Sequence, residues 1–371
     1  LERSALAEAA EQITRALNLI ATLPGSPALR REQIKLQVAL IAPLLHVKGY
    51  AAPETKAAAE RAHSLIERAE ALGEPAEDPL LLFAVLYGIW GAAGVAINGD
   101  AVRELAAQFL VLAEKQGAAF PLMVGHRMMG VSLLFTGNLV EGLDHLDRAV
   151  ALYNPAQHRA LAGRFPHDPW AATLAFRSLI QWLLGYGEGA AATADQALEN
   201  ARNSGQVGTL MYVLFFISPL HLLMGNYATA AAQAQELLAL AEEKVASFWI
   251  ERATAVQGCI LASTGKPSDA VQLITSGLTT AQAMGTTFWS PLYQSYLAKA
   301  HAELGKFVDA WRCIGEATRA VETTKETMFE AEVYRIAGEI AFQSPERDAA
   351  KAQAYFERAL TVARQQQAKS W

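Results

Sequence analysis

Four turns of this chain begin alike and fall forty residues apart: Gly185 to Ala190, Gly225 to Ala230, Gly265 to Ala270 and Gly305 to Ala310. In each, a glycine precedes a small residue by five places. Self-similarity at this period marks stacked supersecondary units, none of which buries its apolar face alone. Alanine and leucine dominate and proline is sparse, so each unit is expected to be helical. The chain has 371 residues, a length that would ordinarily suggest two or three globular domains. The period overrides that prior. The expected fold is all-α: an α-solenoid wound as a right-handed superhelix, one domain over 1–371 with about eight hairpins.

The small residue after each turn serves as an anchor. Ala58, Val102, Gly142, Ala190, Ala230, Ala270, Ala310 and Ala352 follow one another at intervals near forty. Two helical turns further on stand Ala149, Ala197, Gly277, Ala317 and Ala359, on the same face as the anchors. Glycines at 73, 117, 205 and 285 fall where a helix of about four turns should end in a left-handed cap. An aromatic mark follows at Phe248-Trp249, Phe288-Trp289, Met328-Phe329 and Ser370-Trp371. It reads as the first turn of the next hairpin, wedged against the previous one. Both ends read as interior positions, residues 1–6 as mid-helix and Trp371 as the opening of another hairpin. The chain is therefore expected to be part of a longer protein.

Composition and motifs argue against several functions. A formal net charge of −6 disfavours nucleic-acid binding by this segment. Cys259 and Cys313 have neither a nearby cysteine nor a histidine at zinc-finger spacing, and read as buried thiols of a reducing cytoplasm. The uncharged runs at 79–99 and 209–227 carry glycines, or Pro219 and His221, and read as buried first helices of hairpins, not as membrane spans. The run at 263–268 imitates a phosphate loop but has Pro267 where Ser or Thr is needed. His221 and His301 share one repeat position and read as packing residues. No catalytic residue, cofactor or metal ligand is expected.

One junction breaks the period. Three prolines between Tyr153 and Trp170 preclude a long helix and predict an irregular insertion at 154–169. His158, Arg159, His167 and Asp168 form its polar cluster. They are candidates for anion binding or proton transfer, or for tying the loop to its own backbone.

The pattern of small residue, turn glycine and paired alanines resembles the tetratricopeptide repeat, lengthened by about one helical turn. More specifically, the chain is similar to the C-terminal repeat region of bacterial multidomain signalling ATPases, linked to adenylate/guanylate cyclase or winged-helix domains. The residues that carry this likeness are Tyr-Asn-Pro-Ala-Gln-His-Arg at 153–159, His-Asp-Pro at 167–169 and Trp-Leu-Leu-Gly-Tyr at 182–186. Further matches lie at 77–83, 331–335, 354–360 and 367–371. The resemblance implies a regulatory or assembly segment without catalysis of its own. It also implies a concave binding face that includes Arg127, Phe135, Trp182, Tyr212, Phe215, Arg252, Lys299 and Glu303. Aromatic and arginine side chains dominate interface energetics. The expected partner is a protein, a peptide or another part of the same polypeptide, with neither nucleic acid nor membrane involved. The alternatives are a small-molecule effector site, or closure of the superhelix so that these residues become core.

Overall fold

The computed structural model describes residues 5–74, 78–96 and 98–371. Residues 1–4, Glu77 and Ile97, which entered the readings above, lie outside this set. Among the described residues eighteen α-helices follow one another: α1 (Ala5–Ala21), α2 (Pro27–Lys48), α3 (Pro53–Ala71), α4 (Leu80–Val95), α5 (Gly99–Gln116), α6 (Ala119–Phe135), α7 (Leu139–Leu152), α8 (Pro155–His158), α9 (Pro169–Leu183), α10 (Gly187–Asn203), α11 (Val207–Leu223), α12 (Tyr227–Glu243), α13 (Ser247–Ser263), α14 (Pro267–Ala283), α15 (Ser290–Glu303), α16 (Phe307–Thr324), α17 (Glu330–Gln343) and α18 (Ala349–Gln366). A 3₁₀ segment over Arg159–Arg164 follows α8. There is no strand among the described residues. Helix α1 packs on α2; thereafter α2/α3, α4/α5, α6/α7, α9/α10, α11/α12, α13/α14, α15/α16 and α17/α18 pair as hairpins. The fold is an α-solenoid of tetratricopeptide-like hairpins. No described helix is long and apolar enough to cross a membrane.

The two helices of a hairpin differ for a physical reason. First helices have neighbours on nearly every side and are apolar around most of their girth; α11 is buried from Gly208 to Leu222 apart from Leu210. Second helices bury one stripe and expose the rest, as α16 does with Ala310, Cys313, Ile314 and Ala317 inward. Small residues set how closely the pair approaches. A Cβ added at Gly130 would lie 2.7 Å from Leu146, and one at Gly258 would lie 2.6 Å from Ile274. Left-handed glycines close the second helices, Gly117 at φ 66° and Gly205 at φ 68° among them.

The aromatic marks wedge against the previous hairpin, as Trp249 does on Tyr212 and Phe215 of α11 and Phe329 does on Trp289, and they also go further. They reach across the superhelix axis to the hairpin five places earlier. Phe248, at the start of α13, lies against Gly49 and Tyr50 after α2. The N–H groups of Thr287 and Phe288 donate to the carbonyl of Val95, at 3.0 and 3.2 Å. Thr327 N–H donates to Phe135 O at 2.9 Å, and Lys369 N–H to Leu183 O at 2.9 Å. Val95, Phe135 and Leu183 are the last residues of α4, α6 and α9, whose terminal carbonyls lack partners in their own helix. The incoming turn supplies the missing donor. Successive turns of the superhelix therefore touch, and the axis is filled instead of open.

Candidate functional site

The axis is packed with aromatic side chains from six first helices and the turns beside them. Between them remains a cavity of about 50 Å³, room for roughly three or four waters. Its walls include Tyr87, Trp90 and Gly94 of α4, Phe135 of α6, Phe176 of α9, Tyr212 and Phe215 of α11, and Trp249 of α13. Tyr50, Phe288 and His167 complete them.

His167 arrives from the irregular insertion. The short α8 is capped by Asn154, whose side chain accepts from Ala156 N–H, and the 3₁₀ turns then carry the chain inward. The His167 ring is 1% exposed and stacks on Tyr212, with centroids 3.7 Å apart. Its Nε2 is 2.6 Å from Tyr87 Oη and 3.3 Å from Arg127 Nη2. Arginine only donates, so Nε2 accepts and the ring proton sits on Nδ1, 3.5 Å from Tyr50 Oη. Burial holds the His167 pKa well below the usual imidazole range, with the charges of Arg127 and His46 acting in the same direction.

Arg127 is the centre of this network. It is 0% exposed, and its guanidinium donates to Tyr87 Oη through Nη1 and to Tyr212 Oη at 2.7 Å through Nη2. Rings of Tyr87, Trp90, Phe176 and Tyr212 surround it at 5.4–5.8 Å. Among the described residues no carboxylate hydrogen-bonds or ion-pairs with it. Burial pushes the phenols of Tyr50, Tyr87 and Tyr212 up, so they stay neutral.

A second buried arginine lies against three further rings of the wall, Phe215, Phe248 and Phe288. Arg252 of α13 is 0% exposed, with its Cζ 4.8 Å from the Phe248 centroid and its Nη1 donating to Phe288 O at 3.2 Å. Here carboxylates are close: Glu251 Oε2 is 3.3 Å from Arg252 Nε. Glu326 accepts the N–H of Trp289 on both oxygens at 3.1 Å. Trp289 has φ 61°, an unusual conformation for a bulky residue, and this contact holds it. Burial pushes the Glu326 pKa up to about 8, although Arg252 pulls it back.

The residues expected on a concave face therefore occupy two environments. Arg127, Phe135, Trp182, Tyr212, Phe215 and Arg252 are buried, with Trp182 the most accessible at 9%. Lys299 is half-buried and Glu303 is exposed. The insertion cluster does not gather at one point. His158 is held locally, accepting from Asn154 N–H at 3.1 Å, and Arg159 is exposed. Asp168 caps α9, accepting from Trp170 N–H at 2.9 Å, while its own N–H donates to Thr209 Oγ1. Only His167 joins Arg127 and Tyr212. Sequence reasoning missed Tyr50, Tyr87 and His46. His46 donates through Nε2 to Pro166 O at 2.9 Å and accepts through Nδ1 from Trp249 Nε1 at 3.3 Å, tying α2, the insertion and α13 together. The available signal was Tyr87, a phenol inside an otherwise uncharged helix.

No protein-family model matches this sequence, and no curated protein matches it. Solved structures do. The chain is similar to a Rap protein complexed with Competence and Sporulation Factor, with a TM-score of 0.60 and 12% identity over 90% of this chain and 99% of that one. It is similar to NprR in complex with its cognate peptide NprX, with a TM-score of 0.56 and 15% identity over 82% and 84%. A third match is the Signal Transduction ATPase with Numerous Domains protein with a tetratricopeptide repeat sensor from Pyrococcus horikoshii. There the TM-score is 0.53 and the identity 15%, over 98% of this chain but 54% of that one. At such identities the shared property is the helical-repeat fold.

Proposed function

We propose that this chain is a protein- or peptide-binding regulatory scaffold, a non-catalytic segment of a multidomain bacterial signalling ATPase or nucleotidyl cyclase. The observation that carries this reading is the superposition of most of the chain on a Rap protein complexed with Competence and Sporulation Factor and on NprR in complex with its cognate peptide. The match to the repeat-sensor ATPase from Pyrococcus horikoshii supports the choice of parent. The partner is a peptide, a protein or another domain of the same polypeptide. Because the inner face is filled by its own side chains, such a partner enters only if the turns part along the Val95–Phe288, Phe135–Thr327 and Leu183–Lys369 seams. A displayed peptide library, together with the remaining domains of the parent, supplies the candidates. Hydrogen exchange at the amides of Thr287, Phe288, Thr327 and Lys369 reads the outcome. Faster exchange in the complex supports entry at the inner face. Binding that leaves these amides unchanged assigns the partner to the outer surface. Absence of any binder removes the scaffold reading.

The axial cavity favours a second reading, a small-molecule effector domain that controls the linked ATPase or cyclase. Its walls are already assembled and meet at the junction of five first helices and the insertion, so an occupant would bias how tightly the turns close.

A further inference from the structure

Arg127 carries a charge that nothing in its surroundings balances. Guanidinium stays protonated at any working pH, and removing an ion from water costs several kcal/mol even after relaxation. Buried arginines are ordinarily matched by carboxylates, as Arg252 is by Glu251. Around Arg127 stand neutral phenols and a neutral imidazole instead. Its Nε has no hydrogen-bond partner; Nε and Nη2 of Arg252 have none either, but there the Glu251 carboxylate stands 3.3 Å away. Asp168 feels its charge but spends its side chain on the α9 cap.

The neighbours of Arg127 have donor capacity left over. Tyr87 Oη accepts from Arg127 and donates to His167. Tyr212 Oη accepts from Arg127, and Tyr50 Oη faces the His167 Nδ1 proton. The hydroxyl hydrogens of Tyr212 and Tyr50 therefore have no acceptor among the described residues. Both side chains line the cavity, whose other walls are the His167 ring, further aromatic rings and the aliphatic positions Gly91, Val95 and Val131. Gly94 borders it too, and a Cβ added there would meet nothing within 4 Å.

We propose that the axial cavity is a binding site for a small monoanion, of which a short-chain carboxylate is the fitting class. The charged head accepts from the Tyr50 and Tyr212 hydroxyls and answers the field of Arg127. The short apolar remainder lies against the aromatic walls. A cavity of about 50 Å³ limits the body to a few heavy atoms. The proposal rests on the effector reading only for its regulatory consequence; the binding stands on the chemistry of the cavity.

Thermal unfolding of the full chain in acetate, against chloride at equal ionic strength and against neutral acetamide, tests the site. A hundredfold excess of acetate over its Kd should raise Tm by about 3–5 °C. Acetamide should bind at least about tenfold more weakly. Two substitutions separate the cavity from general salt effects, which all variants share. Gly94→Ala fills the void with a better helix former, and Tyr50→Phe removes a donor while keeping the ring. Each should fold and lose the acetate shift. A bromide soak should place an anomalous peak between Tyr50 and Tyr212. Equal shifts with acetamide, or unchanged shifts in both variants, overturn the proposal, as does bromide found only at the surface. Bound acetate that leaves the solution scattering profile unaltered would remove the effector reading and leave the site intact.

Discussion

Arg127 and Arg252 are both wholly buried, and both lie against a fan of aromatic rings that also wall the cavity. They differ in what answers the charge. Arg252 has Glu251 beside it. Arg127 has two phenols and an imidazole. The difference separates an ion pair that belongs to the packing from a cation left open to an occupant. A buried pair is costly to break, because the surviving partner keeps its desolvation penalty and loses its attraction. An unmatched cation carries the penalty already, so its removal relieves part of it.

The largest expected effect follows directly. Arg252→Met strands Glu251 and should cost about 3–5 kcal/mol. Arg127→Met removes a buried charge, keeps a straight side chain among the rings, and leaves Tyr87 still bonded to His167. Measured without added anion, it should cost less than about 2 kcal/mol. Thermal unfolding of the two variants side by side decides the matter. Equal losses would mean that the phenols satisfy Arg127 as fully as carboxylates satisfy Arg252, and the contrast would disappear.

The Arg252 region should also be the base-sensitive one. Glu326 has a folded pKa raised to about 8 from 4.5. A raised carboxyl holds its proton in the folded chain after the unfolded chain has lost it. Its contribution to stability is then complete below about 4.5 and disappears as pH rises through about 8. Tm of the wild-type chain should therefore fall between pH 6 and pH 8, and Glu326→Gln should flatten that fall, so that the gap between the two proteins changes with pH. Glu251 and Glu332, whose pKa values burial also raises, leave a residual slope. Parallel curves for the two proteins would place the proton elsewhere.

The sequence makes the repeat legible because the repeat is written in residue types with few substitutes. Only a small side chain fits where Gly258 meets Ile274, and glycine adopts the left-handed caps without strain. The axial network is another matter. Tyr50, Tyr87, Arg127, His167 and Tyr212 come from five separate elements; Tyr87, Arg127 and His167 stand forty residues apart, but that period alone does not say that the three meet. Their meeting depends on the superhelix closing every five hairpins, a pitch set by many small packing angles. The concave positions were identified from the repeat register, yet whether that face is open or filled depends on the same pitch. His167 shows the limit most clearly. Its neighbours in sequence, Asp168 and His158, bond locally as an irregular loop predicts, whereas His167 reaches a residue 80 positions away.

His167 also gives the smallest effect that still tests the comparison, now on the acid side. Its pKa is held down by burial and by the neighbouring Arg127. A depressed imidazole stays neutral in the folded chain while the unfolded chain protonates. Its contribution is present above about 6.5 and is lost as pH falls. Protonation would put a second cation against Arg127 with no carboxylate to share, which the Arg252 side never faces. His167→Phe keeps the stack on Tyr212 and gives up the bond from Tyr87, at a cost of about 1–2 kcal/mol near pH 8. Between pH 7 and pH 5 it should lose less stability than the wild-type chain. His46, whose pKa burial lowers as well, continues to contribute in both proteins. An anion bound beside Tyr212 would raise the imidazole's affinity for a proton, so acetate should shrink the wild-type acid loss and leave that of His167→Phe unchanged. If acetate acts equally on both proteins, the acid sensitivity of the axis has no connection with the unmatched charge of Arg127.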